Sequence, residues 1–68
     1  MRIALKEARQ RKNLTQTELA RRLHITQQSY QAIESGKTYP RRQTAQLLKR
    51  ELEISMDMIY EEDGDETR

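Results

Sequence analysis

The stretch from Leu14 to Gly36, LTQTELARRLHITQQSYQAIESG, constrains this chain more than any other. It carries two short helical patterns with almost nothing between them. Thr15 opens the first. Thr15-x-x-Glu18 is a capping box, in which each side chain satisfies the other residue's free backbone N–H. Leu19, Ala20 and Leu23 follow at helical spacing, with Glu18 and Arg22 as an i, i+4 pair. His24 falls in the break and Ile25 returns to the core. Thr26 caps the second pattern, residues 27–35, which turns Tyr30 and Ile33 inward and Gln27, Gln28 and Gln31 outward. Gly36 is a stop, because glycine takes the left-handed conformation after a helix without a Cβ clash. With Gln16 as position one, apolar residues fall at positions 4, 8, 10, 15 and 18, and Ala20 at 5. Two steeply crossing helices need a small residue where their axes come closest, and Ala20 supplies it. This is the spacing of a helix-turn-helix.

The remainder supplies partners for that unit. A first helix is expected over Ile3 to Lys12, with Leu5, Ala8 and either Met1 or Ile3 on its buried face and a Glu7–Arg11 pair outside. Asn13 ends it in a left-handed conformation and Leu14 packs back. Residues 37–40 form a loop, since Pro40 cannot continue a helix. A fourth helix follows over Arg41 to Leu52, poorly capped, with Leu47, Leu48 and Leu52 as its stripe. Ser55 caps a short fifth helix over Met56 to Tyr60. No strand or repeat pattern is present. The expected fold is all-α: one compact five-helix bundle over residues 1–60, with an acidic, frayed or disordered tail over 61–68.

Charge sharpens this picture. The formal net charge is only +2, but residues 1–56 hold twelve bases against five acids, about +7. Glu61, Glu62, Asp63, Asp65 and Glu66 follow Asp57 in the tail. A basic body fits a polyanionic partner, although on composition alone a well-solvated surface is the better reading. Cysteine is absent, which removes disulfides and thiolate metal sites and suits a reducing compartment. No apolar run could span a membrane, and MRIALKEARQ has no signal core, so an unsecreted, cytoplasmic chain is expected. Catalysis is not expected: His24 is the only histidine, and no base is patterned near Ser29, Ser35 or Ser55. The tail acids lack the spacing and central glycine of a calcium loop, so neither metal nor cofactor is expected.

The segment resembles the Cro/cI (XRE) family of DNA-binding domains and is especially similar to the lambdoid phage repressors. TQQS at Thr26 to Ser29 and SGKT at Ser35 to Thr38 are its most telling words. The resemblance spans about residues 3–60 and implies a lambda-repressor-like bundle of five helices, prokaryotic or phage-encoded. It implies a sequence-specific transcriptional regulator, expected to be a repressor, that reads double-stranded DNA as a homodimer on a near-palindromic operator. Gln27 and Gln28 are then base readers, and a glutamine amide can pair bidentately with adenine N6 and N7. Gln31 is placed for a base or a backbone contact. Gln16, Ser29, Lys37, Thr38 and Arg41 are expected on phosphates, with Arg42 a weaker candidate; Gln16 is also a candidate brace for Gln27. Arg9 and Glu34 match a pair that bridges helices 1 and 3, so Glu34 is expected to be structural. The dimer contact is expected at Met56, Met58 and Ile59.

Several positions depart from the family pattern. His24 and Glu53 stand where glycine is usual, so each must take positive φ or reshape its turn. Arg42 and Lys49 occupy places that tend to be apolar or small, and Ala32 replaces a base-reading polar residue. The operator therefore cannot be copied from a relative. A rival reading keeps the fold and changes the partner: an antitoxin or adaptor that binds another protein through Met56, Met58, Ile59 and Tyr60.

Overall fold

A computed structural model describes residues 1–60; the expected tail lies outside the described residues. Five helices follow in order: α1 Ile3–Arg11, α2 Gln16–Arg22, α3 Gln27–Ser35, α4 Arg42–Leu52 and α5 Met56–Tyr60. Among the described residues there are no strands. The first helix ends one residue sooner than expected, at Arg11, and the fourth starts one later, with Arg41 as a cap that makes no side-chain hydrogen bond.

The N-terminal caps form as their side chains require. Thr15 Oγ1 accepts from Glu18 N at 3.0 Å, and Thr15 N donates to Glu18 Oε1 at 2.9 Å. Those bonds to Thr15, backbone first, hold the Glu18 carboxyl below its ordinary pKa. Thr26 Oγ1 accepts from Ser29 N at 3.0 Å, and Ser55 Oγ from Met58 N at 3.3 Å.

The C-terminal ends share one device. Asn13, His24, Gly36 and Glu53 have φ of 58°, 61°, 93° and 56°. In each case the following N–H reaches back five residues: Leu14 to Arg9 O, Ile25 to Ala20 O, Lys37 to Ala32 O and Ile54 to Lys49 O. This is the Schellman closure, which satisfies a carbonyl that the helix leaves open. His24 and Glu53 thus accept positive φ and keep their turns. Leu14, Ile25 and Ile54 carry the chain back against the core. Lys37 alone is exposed.

The core gathers Leu5 and Ala8 from α1, Leu19 and Ala20 from α2, Tyr30 and Ile33 from α3, Ala45, Leu48 and Leu52 from α4, and Ile59 from α5, with Leu23 and Ile54 from the turns. Burying a leucine or isoleucine side chain stabilises by about 1.5–3 kcal/mol, so the α5 anchor matters despite the helix's length. Three expectations fail here. Met1 and Ile3 do not extend the buried face of α1; they are 54% and 45% exposed, and Arg2 between them is 1% exposed. Arg22 turns to Glu51 at 3.1 Å, an interhelical partner, while Glu18 is spent on its cap. Ile59 is fully enclosed in the protomer's own core, so it cannot form a dimer contact; Met56 and Met58 are half-buried and Tyr60 is exposed.

Candidate nucleic-acid interface

The second helix of the motif divides sharply into two faces. Tyr30, Ile33 and Glu34 are buried; Gln27, Gln28, Ser29 and Gln31 are exposed. The three glutamine side chains make no hydrogen bond to another described residue. Ser29 is tied into the cap, since its Oγ accepts from Thr26 Oγ1 at 2.9 Å. The helix therefore offers three amides whose donors and acceptors are uncommitted, on a cylinder held from behind.

The hold is a buried ion pair. Arg9 Nε donates to Glu34 Oε1 at 2.9 Å and Arg9 Nη2 to Oε2 at 3.0 Å, a bidentate fork. Arg9 Nη1 donates to Leu14 O at 2.8 Å, which spends a third donor on the turn before α2. Gln16, the first residue of α2, donates Nε2 to Glu34 Oε2 at 3.3 Å. Glu34 thus gathers α1, α2 and α3 at one carboxylate. Burial alone would lift its pKa, but the hydrogen bonds from Arg9 and Gln16, with the nearby Tyr30 hydroxyl, hold it below 4.5. The bond to Glu34 correspondingly raises Arg9. The Tyr30 hydroxyl is buried beside the pair with no hydrogen bond of normal geometry to a described residue. Burial and the Glu34 carboxylate push its pKa far up, so it stays protonated.

Gln16 was expected on a phosphate and as a brace for Gln27; its side chain makes no hydrogen bond to Gln27 and donates to Glu34. Lys37, Thr38, Arg41 and Arg42 are all exposed along the segment that leaves α3. They form a polar, cationic continuation of the glutamine face.

Arg2 is the residue that sequence reasoning missed. Its backbone N donates to Glu34 O at 2.8 Å, and its Nη1 donates to Ile33 O and, at 2.8 Å, to Thr38 O. The guanidinium also lies 4.7 Å from the centre of the Tyr39 ring, a cation–π distance. A cation against carbonyls at the end of a helix complements its dipole. Nothing in the sequence distinguishes Arg2 from a surface arginine, because its partners are backbone carbonyls more than thirty residues away.

The comparisons with known proteins agree with this geometry. A family model described as Helix-turn-helix matches residues 5–59, nearly the whole described chain. The chain belongs to that family, in its XRE, Cro/cI-like form, and is a DNA-binding helix-turn-helix regulator. No curated protein and no solved structure matches it. No described helix is long and apolar enough to cross a membrane.

Proposed function

We propose that this chain is a repressor of transcription that inserts the first turns of α3 into the major groove of an operator. Gln27 and Gln28 read base edges there, and Gln31 extends the contact. Ser29, Lys37, Thr38 and Arg41, with Gln16 at the start of α2, meet phosphates. Phosphate contacts fix register, and base contacts select sequence. The carrying observation is the set of uncommitted amides on a helix locked from behind by Arg9 and Glu34.

Two copies bind a near-palindromic site, with half-sites about 10 bp apart as is general for dimers of this motif. Met56, Met58 and Tyr60 form the seam. So small a patch favours weak dimerisation in free solution and stronger dimerisation on DNA. The setting is the cytoplasm of a prokaryote, with the gene cellular or phage-borne.

Selection of binding sites from random duplex DNA tests the proposal. An enriched, roughly symmetric site is expected, and Gln27→Ala and Gln28→Ala should each relax preference at particular bases. No enrichment, or the same preference in both variants, would overturn the base-reading assignment. Log K should also fall with log[salt] by about 0.9 per phosphate neutralised. A flat salt dependence would favour a protein partner on the same fold.

A further inference from the structure

A groove of about 1030 Å³ runs between α3 and α4. Small-molecule sites reach about this volume. The lining combines two chemistries. Ile25, Ala32 and Leu47 line it and are only half-buried, so apolar surface is left facing the groove. Ala32 keeps the α3 wall low, since nothing extends beyond its Cβ. Arg41 and Arg50 line the same groove, and no aspartate or glutamate among the described residues does.

Those two arginines belong to a distinct class of cation in this protein. Arg9, Lys12 and Arg22 each pair with a glutamate, whereas Arg41 and Arg50 are exposed and pair with no described residue. A duplex backbone would use such cations but has no need of an apolar floor. An apolar body that carries one anionic group uses both. It removes the remaining apolar surface from water, and a guanidinium takes a carboxylate in a bidentate fork. Leu47 and Arg50 are three residues apart on α4, so floor and cation are neighbours on one face. Charge and apolar lining converge on one kind of occupant.

We propose that the α3–α4 groove binds a small amphipathic carboxylate, its apolar body against Ile25, Ala32 and Leu47 and its carboxylate on Arg50. Gln28 and Ser29 line the same groove, so the bound molecule covers part of the face assigned above to DNA. The site itself stands without the DNA reading; its effect as a switch on operator binding rests on that reading. Where ligand and duplex exclude each other, ligand at three times its dissociation constant lowers apparent duplex affinity about fourfold.

The test uses the full chain with dodecanoate as the probe. Acetate supplies the charge without the apolar body, and dodecyltrimethylammonium the body with the opposite charge. In amide spectra without DNA, dodecanoate should shift Ile25, Gln28, Ala32, Leu47 and Arg50 saturably, with a dissociation constant on the order of 1 mM for a ligand of this size. Acetate and the cationic amphiphile should each bind at least about fivefold more weakly. Arg50→Gln, an exposed position outside the proposed phosphate contacts, should weaken dodecanoate about fivefold and leave the cationic amphiphile unchanged. Shifts that never saturate, that centre on Met56 and Met58, or that are the same for both amphiphiles would overturn the site. Dodecanoate binding undiminished in Arg50→Gln would overturn the anchor. At three times its dissociation constant, dodecanoate should weaken binding to a random-sequence duplex about fourfold, and the same concentration should weaken it by less than about twofold in Arg50→Gln. An unchanged duplex affinity would overturn competition. Saturable shifts in the groove of a chain that binds no duplex would uphold the site and overturn the DNA reading instead.

Discussion

The two faces of α3 are built on opposite rules. Behind, the Arg9 guanidinium and the Gln16 amide converge on the Glu34 carboxylate, and Arg9 and Glu34 are buried. In front, three amides of the same helix are exposed and make no hydrogen bond to another described residue. A single helix can carry both because its residues three and four apart share a face. Tyr30, Ile33 and Glu34 follow that rhythm, and Gln27, Gln28 and Gln31 follow it a step out of phase. The inner face thus sets where α3 lies, and the outer face is left to set what it binds.

Mutations should separate these roles, and the largest effect belongs to the inner face. Arg9→Ala strands a buried carboxylate and should cost about 3–5 kcal/mol in denaturant unfolding. Replacing both partners, Arg9→Met with Glu34→Leu, should recover most of that loss, because no charge is then left unpaired. A pair that proved worth under 1 kcal/mol would erase the contrast between the faces. The same pair predicts an acid limb. Glu34 has a lower pKa folded than unfolded, so its stabilisation is complete above the ordinary value of 4.5 and is lost as pH falls through the depressed folded value. Glu34→Gln should flatten that part of a stability–pH curve.

The outer face should behave in reverse. Gln28→Ala should leave unfolding within about 0.5 kcal/mol of wild type, yet remove about 1–3 kcal/mol of discrimination between the selected base and its replacements. A Gln28→Ala chain that unfolded easily would make that glutamine a structural residue. At the edge between the faces, Thr26→Ala should cost about 1 kcal/mol through the lost cap. The smallest change is a gain: His24→Gly should raise stability by up to about 1 kcal/mol, since glycine accepts a φ of 61° without strain and gives back part of the benefit as unfolded-chain entropy.

What was legible in the sequence is what depends on neighbours in sequence. The Thr15–Glu18 box, the Thr26 cap and the Gly36 stop are short-range devices, and each occurs where its residue types require. His24 and Glu53 stood out as substitutions at positions that favour glycine, and both adopt positive φ. The periodicity of α3 sorted its residues correctly into inner and outer sets. The contacts that were not foreseen depend on distant partners. Arg2 finds its carbonyls only when α3 and its following loop come alongside. Ile59 was expected at a seam because five residues of α5 offer too little periodicity to distinguish core from rim. Gln16 could face a phosphate or a carboxylate, and only the fold brings Glu34 within its reach.

The grip on the far end of α3 has a mechanical consequence. From Glu34 back to Gln27 is seven residues, about 10 Å of helix axis. A tilt of 10° about the Glu34 end would swing the Gln27 end by about 2 Å, whereas a good hydrogen bond tolerates only a few tenths of an ångström around 2.9 Å. Arg2 and Arg9 hold that end from two directions, one through carbonyls and the other through the carboxylate. The pointing accuracy of the first turn of α3 is therefore fixed at its opposite end, by two arginines that need never touch what the helix touches.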